Sequence, residues 1–284
     1  MMLRVLKLPT IGRHAEELAQ KAEREGWTFG QYLRHLVSLE IEERRRRRIE
    51  RYQRESHLPG EKTLATLNRK RLAAPVARQL SALCEGGFVD RGENVLLFGL
   101  PGRGKTHVAC AIGHELVRRG HRVLFTPTYA LVQRLLGAKR ELRLEKDLAE
   151  LDGFDAVILD DIGYVQQSRD EMEVLFTFLS ERYERKSVVI TSNLVFSEWN
   201  RIFKDPMTTA AAIDRLIHHA VIIEMDGESV RAQAAEEAMR TAKGASATTM
   251  TPATTTATTT TGATTTATTT IAAGRINNTD DGAM

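Results

Sequence analysis

The chain has 284 residues, 42% of them hydrophobic and 27% charged, with a formal charge of +3 at pH 7. That length carries one large domain plus a smaller one, and the mild basicity is compatible with nucleic acid without requiring it. No apolar run approaches the ~20 residues that cross a bilayer. The N-terminus lacks a long apolar segment of the secretory kind, so a cytoplasmic protein with no membrane contact is expected. Cys84 and Cys110 are far apart and lack metal-ligand spacing, which argues against a zinc or disulfide scaffold and fits a reducing compartment.

Residues 10 to about 58 read as helical. Leu18, Ala19 and Ala22 share one face, as do Tyr32, Leu33, Leu36 and Val37. Gly26 and Gly30 flank Trp27-Thr28-Phe29, which reads as the turn between two helices. The second helix runs into Arg44, Arg45, Arg46, Arg47 and Arg48, and Pro59-Gly60 breaks the pattern. Residues 1–60 are therefore expected to form a helical domain that contacts DNA or a partner.

From 61 to about 235, short β-rich runs alternate with helical stretches. The runs are Val95–Phe98, Arg122–Thr126, Ala156–Asp160, Ser187–Thr191 and Ala220–Glu224, with helical patterns such as His107–Arg119 and Asp170–Arg185 between them. Alternation of this kind predicts an α/β fold, a parallel sheet with helices on both faces. Residues 241–284 collapse into Thr, Ala and Gly, too poor in bulky apolar groups to offset their ordering entropy, so a disordered tail is expected.

The chemistry begins where the first run ends. Gly99, Leu100, Pro101, Gly102, Arg103, Gly104, Lys105 and Thr106 fit G-x-x-x-x-G-K-[ST] at every fixed position. Glycines after a strand let backbone N–H groups converge on an anion, and the following helix N-terminus adds partial positive charge. Lys105 is placed to reach β- and γ-phosphates and the Thr106 hydroxyl to hold Mg²⁺. A strand of four apolar residues then ends in Asp160 and Asp161. On the P-loop template Asp160 is the Mg²⁺ partner and Asp161 the base for the attacking water. Val188-Val189-Ile190-Thr191-Ser192-Asn193 is another buried strand with a polar end, and Asn193 is a candidate for positioning that water.

Arg215 follows an Ala-rich helix and precedes the last run. A surface arginine is usually only solvated; the sharper reading delivers it in trans to a neighbour's γ-phosphate. His218-His219 looks like a metal pair, but adjacent residues do not share a helix face, so both read as structural. Arg44 to Arg48 cover every face of their helix. They are either a solvated surface partly neutralised by Glu40, Glu42, Glu43 and Glu50, or a phosphate-neutralising surface. Arg69, Lys70 and Arg71 form a second basic cluster, and neither shows a base-reading pattern.

Residues 10–235 together resemble the IstB-like helper ATPases of bacterial insertion sequences, members of the AAA+ superfamily beside the DnaC-type helicase loaders. The resemblance rests on GLPGRGKTH at 99–107, VILDDIGY at 157–164, ITSNLVFSEW at 190–199 and AAIDRLIHHAVIIEMDGESVR at 211–231. It implies a P-loop AAA+ fold, ATP and Mg²⁺ as cofactors, and ATP hydrolysis. It also implies self-association into an ATP-dependent oligomer on duplex DNA and engagement of a transposase. By the same resemblance Gly99 to Thr106 form the Walker A loop and Asp160 and Asp161 the Walker B pair. Asn193 is the sensor-1 residue, Arg215 the arginine finger and Arg231 a further phosphate or interface arginine. Two departures stand out: Asp161 replaces the usual Glu, which shortens the base and slows hydrolysis, and the chain leaves little room for a helical lid. A helicase loader and an ATP-gated assembly platform with marginal hydrolysis remain as alternatives. A small-molecule kinase lacks a recognisable arginine-bearing lid.

Overall fold

The computed structural model describes residues 2–163, 168–199 and 206–226. All of them fall in one compact unit, Met1–Ala238; the Thr/Ala-rich tail and Arg231 lie outside the described residues. The helices are α1 (Met2–Val5), α2 (Pro9–Glu25), α3 (Phe29–Glu55), α4 (Ala74–Cys84), α5 (Gly87–Asp90), α6 (Lys105–Arg119), α7 (Thr128–Arg140), α8 (Leu144–Asp152), α9 (Arg169–Arg182) and α10 (Pro206–Ile217). The strands are β1 (Asn94–Phe98), β2 (Val123–Pro127), β3 (Ala156–Asp160), β4 (Ser187–Ser192) and β5 (Ala220–Glu224).

Among the described residues the strands form one parallel sheet in the order β2-β3-β4-β1-β5. The expected α/β sheet is present, and its central strands show why the apolar runs are nearly continuous. Strand side chains alternate between faces, and both faces are covered. Leu96, Phe98, Val157, Leu159, Val188 and Ile190 pack into one layer with α7, α8, α9 and α10. Val95, Leu97, Ala156, Ile158 and Val189 pack into the other, with α4, α5 and α6. Each such side chain is worth roughly 1.5–3 kcal/mol of transfer free energy. Both faces of the sheet are thus filled, and the loops at the C-terminal ends of its strands are left to build the site.

The N-terminal helices dock through α3. Ile49 and Tyr52 pack on the α6 layer, Ser56 O accepts from Phe125 N at 2.7 Å, and Arg122 Nε donates to Glu55 at 2.8 Å. The buried His114 accepts at Nδ1 from Gln53 (3.1 Å) and donates from Nε2 to Pro59 O (3.0 Å), a tautomer set by those two partners. Two details differ from expectation. Thr28 and Gln31 form a capping box, so α3 begins at Phe29 and Gly30 is helical rather than part of the turn. Leu36 is buried against α2, but Leu33 and Val37 are 61% and 42% exposed, so only part of the expected α3 face is covered. Among the described residues no helix is long and apolar enough to cross a membrane.

Candidate nucleotide-binding site

The loop between β1 and α6 is built from positive φ angles. Gly99, Gly102 and Gly104 stand at +146°, +83° and +85°, conformations costly to any side chain. At Gly99 a Cβ would sit 2.5 Å from Met225 O, so the loop and the chain after β5 need glycine there to approach. Arg103 closes the same contact, donating to Met225 O and Asp226, each at 3.2 Å.

Gly104 is the N-cap of α6 and supplies no side chain to its first turn. By contrast, Ser168 and Thr28 cap α9 and α3 with capping boxes. The 15-residue α6 therefore turns free N–H groups and its dipole's positive end toward the loop, the arrangement that attracts an anion. Lys105 is buried, with its ammonium folded back on the loop carbonyls of Gly99 (2.6 Å) and Leu100 (3.1 Å).

Asp160, the last residue of β3, joins this loop to the next strand. Its Oδ1 accepts from the hydroxyls of Thr106 (2.8 Å) and Thr191 (2.7 Å). Thr191 in turn accepts from Asp161 N at 2.8 Å, and its own carbonyl accepts from Ile162 N at 3.0 Å. Asp161 itself is exposed and sits at φ +65°. Thr191 was not singled out from the sequence, yet it fixes both aspartates. Its signal is a hydroxyl at the polar end of a buried strand, between the two apolar layers.

Asn193 lies just beyond β4. Its Oδ1 is buried without a hydrogen-bond partner among the described residues. Gly163 packs directly against it; a Cβ at 163 would collide with Asn193 Oδ1 and Leu194. Behind them Leu194 O accepts from Ser192 Oγ (2.8 Å) and Trp199 Nε1 (3.2 Å), and Trp199 is fully buried beside Phe98. The SNLxFSEW string is thus largely the architecture that presents Asn193.

Arg215 does not join this group. It lies on α10, donating to Ser180 Oγ at 3.0 Å and covering the Phe176 ring at 4.8 Å. The next carbonyl, Leu216 O, accepts from Asn94 Nδ2 (3.2 Å) at the first residue of β1. The phosphate loop follows the last residue of that strand, roughly 16 Å away along five residues, further than an arginine side chain spans. Arg215 therefore stands at the opposite edge of the sheet from its own loop. His218 and His219 follow α10 in the turn before β5, so the helix-face argument does not apply to them; both approach Glu184.

The arginine run divides. Arg44 pairs with Glu40 (3.1 Å), whose buried carboxylate caps α2 through Thr10 N (2.8 Å) and Ile11 N (3.1 Å). Arg46 binds Glu43 and Glu50, and Arg47 binds Glu43. Those two guanidiniums hold the Glu43 carboxyl down at about 2. Arg45 and Arg48 have no carboxylate partner among the described residues and line a groove with Ile41, Ile49 and Arg119. Arg69, Lys70 and Arg71 form an exposed 3-10 turn; Arg69 and Arg119 both act electrostatically on Cys84, whose thiol burial pushes up to about 11.

Comparison with known proteins agrees with this geometry. The family described as IstB-like ATP binding protein matches residues 1–238. The chain is 48% identical over 241 residues to a protein of Sinorhizobium fredii, covering 84% of this chain and 81% of that one. It is 37% identical over 234 residues to one of Pseudomonas aeruginosa, covering 81% and 87%. Both are named as candidate ATP-binding proteins of insertion sequences, the second of IS21. In fold it is similar to AMPPCP-bound DnaA from Aquifex aeolicus, with a TM-score of 0.50 and 17% identity over 66% of this chain and 57% of that one. A DnaA bound to AMPPCP and single-stranded DNA gives a TM-score of 0.52 at 15% identity over 66% and 56%. The chain spans little more than half the length of these DnaA chains, which speak for the AAA+ fold alone. With a parallel sheet, a glycine loop after β1 and a family match over all of the described residues, the chain belongs to the IstB-like ATP binding protein family.

Proposed function

We propose that the protein is an ATP-binding and hydrolysing helper of DNA transposition, which assembles on duplex DNA and engages a transposase. The observation that carries the reading is the convergence of Thr106 and Thr191 on Asp160 Oδ1 beside an uncapped helix N-terminus. A hydroxyl and a carboxylate within 3 Å, next to free backbone N–H groups, are a donor set suited to Mg²⁺ and phosphate together. The orphaned Asn193 Oδ1 and the positive-φ glycines of the loop also fit a nucleotide at this edge.

Thr106 and Asp160 would hold Mg²⁺, which would supply positive charge to offset that developing on the phosphates. The chain's own groups do the rest. Loop N–H groups and Lys105 hold the β- and γ-phosphates, with Lys105 exchanging the Gly99 and Leu100 carbonyls for phosphate oxygens. Asp161 accepts the proton of the attacking water, and the Asn193 side chain helps to position that water. Arg215, too far from its own loop, acts on the γ-phosphate of a neighbouring copy, which makes hydrolysis depend on assembly. Arg45 and Arg48, together with Arg69, Lys70 and Arg71, neutralise DNA phosphates without reading bases.

The test is ATP hydrolysis with and without duplex DNA while particle size is followed. DNA-stimulated turnover with assembly is expected. Arg215→Ala should spare ATP binding and remove the stimulated rate; equal loss of both would argue against a finger in trans. A second reading, an ATP-gated platform with marginal hydrolysis, is favoured by Asp161 alone. Its carboxylate is one carbon shorter than the usual Glu, and its backbone is held in the left-handed region. Assembly without turnover selects that reading.

A further inference from the structure

A second cluster of ligating groups lies at the edge of the sheet away from the phosphate loop. Two turns meet there: Tyr183 to Lys186 between α9 and β4, and His218-His219 between α10 and β5. We propose that Glu184, His218 and His219 form a binding site for a divalent transition metal of the zinc class, distinct from the Mg²⁺ site.

The geometry is specific. Glu184 Oε1 stands 3.5 Å from His218 Nδ1 and 3.6 Å from His219 Nε2. These separations are long for hydrogen bonds. They match the edge of a tetrahedron, about 3.4 Å when each metal–ligand bond is ~2.0–2.1 Å. All three ligand atoms lie within 4.8 Å of one another. Two imidazole nitrogens and one carboxylate leave a fourth position open to solvent, and this donor set suits zinc or its borderline neighbours rather than Mg²⁺.

Both turns are positioned before any metal arrives. Glu184 is held at φ +55°, in the left-handed region. His219 O accepts from Asn94 N at 2.8 Å and Leu216 O from Asn94 Nδ2 at 3.2 Å, which pins the histidine turn to the start of β1. The Tyr183 hydroxyl bonds His218 Nδ1 at 2.9 Å. On metal binding the Tyr183 hydroxyl would release that nitrogen to the ion. Asp214 and Arg215 are the other charged groups within electrostatic reach of Tyr183. Occupancy would tie the α9–β4 turn to the α10–β5 turn three residues after Arg215.

The test uses the full chain in excess Mg²⁺ without nucleotide, titrated with Co²⁺ as a spectroscopic probe and then with Zn²⁺. One Co²⁺ per chain is expected, with the visible absorption of a four-coordinate ion, displaced by Zn²⁺. Glu184→Gln and His219→Ala should each weaken binding by at least ~10-fold, while His35→Ala, remote on α3, should leave it unchanged. Glu184 is exposed and its glutamine variant nearly isosteric, so a circular dichroism spectrum like the parent's is the control for folding. Absence of the absorption bands, or bands of equal strength in Glu184→Gln and His219→Ala, overturns the site.

Discussion

The phosphate edge of the sheet and the arginine stretch of α3 use charge in opposite ways. At the edge, Asp160 is committed to two hydroxyls while α6 begins without a side-chain cap, so the free donors point at one place. On α3, five consecutive arginines look like the strongest feature of the chain, yet three are consumed by Glu40, Glu43 and Glu50 on their own helix. Charge density is therefore a poor guide to a binding surface; what counts is which charged groups lack an internal partner.

The largest test of that contrast is Lys105→Ala. It removes the ammonium folded onto the loop carbonyls of Gly99 and Leu100, and nucleotide affinity should fall on the order of 100-fold, about 2.7 kcal/mol. Fluorescent-nucleotide binding measures it, and nucleotide-dependent assembly should vanish with it. Unchanged ATP binding would sink the phosphate-loop assignment and with it the edge side of the comparison.

Thr191→Val is the next largest. The swap keeps shape but removes the hydroxyl that donates to Asp160 and accepts from Asp161 N. A cost of about 1 kcal/mol follows from losing part-buried hydrogen bonds, read as a lower urea midpoint, with weaker Mg²⁺-dependent nucleotide binding alongside. If only stability falls and Mg²⁺ dependence is untouched, Thr191 is a fold residue and not part of the site.

How much of this was legible in the sequence depends on the range of the interaction. The phosphate loop, the Walker B strand and Asn193 are written in contiguous strings, because a strand end, a tight turn and a helix start are local events. The parallel sheet was legible from alternation. The Glu43 pairs with Arg46 and Arg47 follow the i,i+3 and i,i+4 rule and could have been read from spacing. Arg48 has only Arg44, Arg45, Arg51 and Tyr52 at those offsets, which already marks it as unpaired. What spacing could not supply is contact between distant segments. Glu40 capping α2 across 30 residues, Gly163 against Asn193, and Glu184 beside two histidines from another turn exist only after the chain has folded.

The division of α3 gives a finer test. Arg45→Ala with Arg48→Ala should weaken duplex DNA binding about tenfold and lower the slope of log K against log salt by about 2, one phosphate contact each. Arg46→Ala with Arg47→Ala should change the slope by less than half as much, since those guanidiniums already face Glu43 and Glu50. Equal effects from the two pairs, measured by anisotropy over a salt series, would mean the internal ion pairs open on DNA.

The smallest expected effect tests those ion pairs in the absence of DNA. The Glu43 carboxyl falls from an ordinary 4.5 to about 2, because Arg46 and Arg47 both donate to it. A depressed folded pKa means that the unfolded chain takes up the proton first. The stabilisation is therefore complete above pH 4.5 and is lost as pH falls toward 2. Arg46 is well exposed, so the contribution is small and screened by salt. The difference in urea midpoint between the protein and its Glu43→Gln variant should be constant near neutral pH, close between pH 4.5 and 2, and shrink in high salt. A difference that persists unchanged to pH 2 would mean that Glu43 acts through packing, and that Arg46 and Arg47 are as available to DNA as Arg45 and Arg48.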